Sequence, residues 1–160
     1  MKNLIMLIVL MMVFVLSSVS FAQNNESYDS SADIELLKTD LKAQKISLVK
    51  DGMELTKEEG KKFWPIYNEY QEEVGKLIDL KVKLIKDYAE HYEKMTDKKA
   101  EDLLDEAIDI DEKSAKLQKK YIKKIKKVLP AKKVVRFYQL DNRITMLLQL
   151  QTSANIPLIK

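Results

Sequence analysis

The stretch Thr56–Met95, TKEEGKKFWPIYNEYQEEVGKLIDLKVKLIKDYAEHYEKM, decides the fold. Phe63, Tyr67, Tyr70, Val74, Leu77, Lys81, Leu84, Tyr88, His91 and Met95 recur at alternating steps of four and three, the spacing of a heptad seam on one helix face. A single helix of this length reaches roughly 60 Å at about 1.5 Å per residue. Its stripe cannot be buried against itself, so cover must come from later in the chain or from a second copy. Thr56, with Glu59 three residues on, has the pattern of an N-terminal capping box. Pro65 predicts a kink, or a short helix 57–64 followed by a longer one. Gly75 is a second weak position.

Working outward, the chain supplies its own cover. Thr96-Asp97 makes a short turn and a new N-cap, and a third helix is expected from about Lys98 to Leu129. Leu103, Ala107, Ile110, Ser114, Leu117, Tyr121, Ile125 and Val128 form its stripe. The short turn predicts that this helix lies antiparallel to the long one, stripe on stripe. Its first half is acidic and its second half basic, the order the helix dipole favours. Pro130 suits the first position of a fourth helix running to about Thr152. Val134, Phe137, Leu140 or Asp141, Ile144, Leu147 and Leu148 are its expected buried face. The apolar tail Ile156-Pro157-Leu158-Ile159 is expected to be extended and packed on a helix or a partner.

On the N-terminal side, Asp33 can cap a first helix reaching about Lys50. Ile34, Leu37, Leu41 and Leu48 form its stripe, flanked by Leu36, Ile46 and Val49. Asp51-Gly52 ends it, the glycine suiting a left-handed C-cap. Residues 23–32 are polar and read as a disordered linker. Residues 1–22 read as a secretory signal peptide: Lys2, the apolar run Leu4–Leu16, then Ser20 and Ala22 at the positions a signal peptidase prefers. That run is short of the about 20 residues a spanning helix needs. Cleavage is expected before Gln23, which places residues 33–160, a single all-α domain, outside the cytoplasm.

Composition agrees. Three glycines and three prolines suit helices rather than a turn-rich sheet. With no cysteine there is no disulfide, thiolate zinc site or cysteine nucleophile, and a lone histidine excludes most metal clusters and histidine catalysis. No cofactor or metal site is expected, and no base or oxyanion pattern accompanies Ser114, so the chain does not read as an enzyme.

Several residue sets carry a structural and a functional reading side by side. Asp105, Asp109 and Glu112 share a helix face that could hold a hard cation, or simply be solvated. His91 reads as a partly buried, hydrogen-bonded residue, or as a ligand shared between two copies with Asp87 or Glu90. Lys81 has three readings: a snorkelling stem, a partner for an acid on the third helix, or a place where the seam opens to water. Lys116, Lys120, Lys123 and Lys127 run along one face beside Tyr121, as a solvated face or as a surface for acidic or unfolded partners. Outside the cytoplasm, nucleic acid is not an expected target, while anionic lipid remains one. Phe63, Trp64, Tyr67 and Tyr70 surround Pro65, as core or as an apolar docking site.

Two segments carry a family resemblance. Leu55-Thr56-Lys57-Glu58-Glu59 followed by Phe63-Trp64 resembles the LTxxQ motif of the Spy/CpxP-like periplasmic proteins, with Glu59 in place of the glutamine. Leu129-Pro130-Ala131-Lys132-Lys133 stands where that family places its second copy, with Pro130 and Lys133 replacing threonine and glutamine. The resemblance spans residues 33–152 and is closest to a branch carrying Phe63-Trp64-Pro65. It implies a thin, curved homodimer of antiparallel helices in the periplasm. It further implies ATP-independent capture of partly unfolded envelope proteins, with Lys116, Lys120, Tyr121, Lys123 and Lys127 as the matching surface. The alternative it implies is a regulatory or scaffolding module that binds one envelope stress sensor, through Phe63, Trp64 and Tyr67 or the tail.

Overall fold

The computed structural model describes residues 30–153 and 156–159. The expected signal peptide and residues 23–29 of the expected linker lie outside them. Among the described residues the chain is all-helical: α1 Ser30–Met53, α2 Lys57–His91, α3 Asp97–Ile125 and α4 Ala131–Ser153, with a 3-10 turn at Tyr92–Lys94. The chain divides into two units at Glu35. Of the first, only the opening of α1 is described. The rest concerns the second unit, Leu36–Lys160. No helix among the described residues is long and apolar enough to cross a membrane.

The α2 start follows its local chemistry. Thr56 Oγ1 accepts from Glu59 N (3.2 Å) and Glu59 Oε2 accepts from Thr56 N (2.9 Å), closing the capping box. The expected break at Pro65 is absent: α2 continues through it. Pro65 is exposed, so the hydrogen bond it cannot make is lost on a solvent-facing side rather than in the core. The seam periodicity holds, but its cover thins. Phe63, Tyr67 and Tyr70 are buried, Val74 to Tyr88 are half-buried at the seam positions, and His91 is exposed.

At the α1 end, the expected glycine cap is corrected. Helix α1 starts at Ser30 rather than Asp33 and runs on to Met53, and Glu54, not Gly52, takes the left-handed conformation (φ 48°). Gly52 serves packing instead: a Cβ there would lie 2.8 Å from Leu140 Cδ1. The terminal carbonyls are satisfied from α4. Lys133 Nζ donates to the Met53 carbonyl (3.1 Å) and to that of Glu54. Arg136 donates to the Gly52 carbonyl and pairs with the Glu54 carboxylate.

The α1 stripe is also corrected. Lys45, Val49 and Met53 face inward, while Leu48 is exposed; the side chains of Ile34, Leu36 and Leu37 lie outside those described. Thr96 caps α3 by accepting from Lys99 N (3.2 Å). Helix α3 stops at Ile125, earlier than expected, and a tight turn follows in which Leu129 N donates to the Ile125 carbonyl (3.0 Å). Pro130 sits one residue before α4, its carbonyl accepting from Val134 N (3.1 Å). On α4 the inward residues are Val134, Phe137, Asp141 and Ile144; Leu147, expected inside, is exposed.

The core is aromatic. Phe63 stacks on Tyr67 (5.4 Å between centroids) and meets Phe137 edge-on at 5.4 Å, while Tyr70 approaches Tyr121 at 5.2 Å. Full burial of each such side chain contributes about 1.5–3 kcal/mol, and each aromatic pair about 0.5–1.5 kcal/mol more. Helices α2 and α3 are further joined by ion pairs Glu69–Lys124 (2.7 Å), Lys81–Asp111 (3.0 Å) and Asp87–Lys99 (2.7 Å).

Two substitutions test these local assignments by urea unfolding. Gly75→Ala should stabilise by about 1 kcal/mol, since nothing lies within 4 Å of the added methyl. Thr56→Ala should destabilise by about 1 kcal/mol through loss of the cap.

Candidate functional site

The most elaborate polar group in the second unit centres on Asp141, buried at 1% exposure. Lys45 Nζ from α1 lies 2.9 Å from its Oδ1, an ion contact rather than an aligned hydrogen bond. Tyr70 from α2 donates to Oδ2 at 2.8 Å, and Gln118 from α3 donates to the same oxygen at 3.2 Å. Gln118 Nε2 also donates to Asn142 Oδ1 at 2.8 Å. One carboxylate on α4 is therefore held by one residue from each other helix.

This arrangement raises phenol pKa values. Burial, then the Asp141 charge, pushes Tyr67 and Tyr70 far above the usual tyrosine range. Tyr121 is pushed up to about 12, first by burial and then by the Glu69 carboxylate beside it. Glu69 itself is lowered, chiefly by the Lys124 ammonium, which bonds both its oxygens at 2.7 and 2.8 Å. Asp141 and Lys45 are buried, and the group can hold register between helices.

The residues expected from sequence to bind partners divide. Phe63, Tyr67 and Tyr121 are 0%, 0% and 1% exposed, so their rings belong to the core and offer nothing to a partner in this arrangement. Phe137 packs edge-on against both Phe63 and Tyr67, at 5.4 and 6.0 Å between centroids. Trp64 is half-buried and keeps an edge in solvent. Lys116, Lys120, Lys123 and Lys127 are all exposed. Lys116 is paired with Glu112 at 2.7 Å, which raises its pKa. Lys120 lies 5.3 Å above the Tyr121 ring, so a buried aromatic backs an exposed cation.

The motif residues converge on one junction. Leu55 packs at the core margin, Thr56 and Glu59 form the cap, Leu129 is buried, and Lys133 bonds the carbonyls just before Leu55. Pro130 opens the helix that carries Lys133. Both motif segments thus close the same end of the core.

Farther along α2, Lys81 faces an acid on α3, the second of its three readings. His91 is exposed rather than partly buried, its Nδ1 2.9 Å from the Asp87 carbonyl and 3.0 Å from Asp87 Oδ1. The ligand atoms of Asp87, Glu90 and His91 lie within 4.8 Å of one another. Asp87 Oδ2 already receives Lys99 Nζ at 2.7 Å, and that ammonium lowers the Asp87 pKa. Asp109 and Glu112 of the acidic face pair with Lys113 and Lys116 on their own helix.

Sequence reasoning missed Lys45, Arg136 and Gln118. For Lys45 a signal existed: Lys45, Val49 and Met53 recur every fourth residue. Compared with known proteins, the chain matches no family model, no curated protein and no solved structure.

Asp141→Ala should lose about 3–5 kcal/mol, because it strands a buried ammonium, while Lys45→Met with Asp141→Leu should unfold at or above the wild-type urea midpoint. Alkali supplies a second test. Folded tyrosines with raised pKa stay neutral while those of the unfolded chain ionise near pH 10, so stability is full below about pH 10 and falls above it. Part of the phenolate absorbance should therefore appear only as helical circular dichroism is lost; all seven tyrosines titrating together near pH 10 with helix intact would contradict this.

Proposed function

We propose that this protein is an exported, ATP-independent binding protein that captures partly unfolded polypeptides. The observation that carries the reading is a combination of exposed lysines at the end of α3 and exposed apolar side chains on α4. Exposed Lys120 and Lys123 stand on α3 and exposed Lys127 in the turn after it, and exposed Val135, Tyr138, Met146, Leu147 and Leu150 stand on α4. Helix α4 is therefore apolar on two faces, one turned to the core and one to water. Large exposed apolar patches mark interaction sites. Lysines draw an acidic chain in from a distance, and apolar side chains hold it at contact.

The finer architecture belongs to the same proposal. Ion-pair partners descend on α3 (Lys124, Asp111, Lys99) as they ascend on α2 (Glu69, Lys81, Asp87), which supports an antiparallel hairpin. The proposal includes pairing of two copies through a surface other than this face of α4. Membership of the Spy/CpxP-like group is supported by the meeting of both motif segments at one core end. The activity needs no catalytic step. The rival reading, a module for one envelope stress sensor, is left with Trp64 and the tail, since Phe63 and Tyr67 are buried.

The test is light scattering of an aggregating client without ATP. Equimolar protein should suppress scattering, and added salt should weaken the effect. Lys120→Glu with Lys123→Glu and Lys127→Glu should weaken it further for acidic clients. Unchanged scattering with wild-type protein rejects the proposal, and a single stoichiometric partner in place of many clients favours the sensor-binding module.

A further inference from the structure

The end of α2 and α3 away from Asp141 holds the chain's own tail. Tyr88 donates its hydroxyl to the Pro157 carbonyl at 2.8 Å, and Tyr92, one turn on, donates to the Leu158 carbonyl at 3.1 Å. Both bonds read backbone rather than side chain, so any extended segment offers the same acceptors. Beside them an apolar slot of about 270 Å³ runs between Leu84 and Tyr88 of α2 and Leu103 and Ala107 of α3. Ile156 and Ile159 form its outer wall. The tail does not fill the slot, and it uses its apolar side chains poorly: Leu158 is 89% exposed and Ile159 52%.

A segment that belonged to the core would bury those side chains. This one is held by two exposed hydroxyl bonds and a partly used apolar wall. Pro157 biases Ile156 toward extended backbone, so little ordering is needed to seat it.

We propose that this slot is a peptide-binding site for extended apolar segments, and that residues 156–159 occupy it as a displaceable plug. The proposal rests on the polypeptide-binding reading above and names a site for it. Tyr88 and Tyr92 set the register by engaging successive carbonyls. The apolar slot selects aliphatic side chains over charged ones. The plug keeps a small apolar surface covered until a segment with longer side chains, able to fill the remaining volume, displaces it.

The probe is a fluorescein-labelled synthetic copy of residues 156–159, followed by anisotropy on the full chain. Wild type should bind it weakly, and Ile156→Asp with Ile159→Asp, which loosens the plug, should bind at least tenfold more tightly. Adding Tyr88→Phe and Tyr92→Phe to that variant keeps the rings and removes the hydroxyls; affinity should fall about tenfold or more. Equal affinity for wild type and the tail variant, or no binding by either, overturns the proposal. A wild-type dimer that the tail substitutions dissociate also overturns it, by making the tail a link between copies. Client scattering is measured on the same variants. Suppression that persists without any peptide binding removes the slot and leaves the broader function; peptide binding without suppression does the reverse.

Discussion

One carboxylate organises the second unit. Asp141 sits among aromatic rings where an unpaired charge would be strongly disfavoured. It is tolerated because Lys45, Tyr70 and Gln118 converge on it from α1, α2 and α3. Apolar stripes alone specify contact but leave sliding by a helical turn only mildly penalised. A buried acid with two hydrogen-bond donors and a paired ammonium does not: a shift of one turn in any helix strands a donor or the charge. Such groups add little net stability and are better understood as setting register.

The core around that group is closed at one end by chemistry that both motif segments share. The left-handed Glu54 turns the chain from α1 toward α2, and Lys133 and Arg136 bond the carbonyls that the α1 end leaves open. Cations in this chain thus do two jobs. Some satisfy helix ends and acids within the fold, as Lys133 and Lys124 do, and others stand exposed at the end of α3 and in the turn after it, as Lys123 and Lys127 do. Neither job is visible in a net charge of +3.

Burial along α2 falls from the aromatic core to the His91 end, and that gradient connects packing to the proposed activity. Near Phe63, α4 supplies cover through Phe137. Beyond Val74, the α3 stripe at Ile110 and Leu103, the ion pairs from α3 and the tail line the helix. The less a seam is covered, the more readily it exchanges one apolar neighbour for another. A rigid end and a loosely covered end on one helix suit a protein that must keep its fold while surface is occupied and released.

Much of this was legible in the chain itself. Heptad steps, the Thr56–Glu59 box, the Thr96 cap and the Leu129-Pro130 break determined four helices and no strands among the described residues, because these signals are local and depend on backbone geometry within a few residues. Tertiary structure decided the rest. Gly52 was free to cap its helix but packs under Leu140; Leu48 and Leu147 had stripe spacing but face water; Phe63, Tyr67 and Tyr121 were readable as docking or as core residues, and Phe137 against the first two and Tyr70 against the third make them core. Lys45 and Asp141 are the clearest case. Lys45 alone reads as a surface charge and Asp141 only as an alternative to Leu140 on a buried face, and the meeting of four helices makes burying both of them tolerable. Periodicity says which face a residue occupies, and the neighbour supplied by another helix decides what that face is worth.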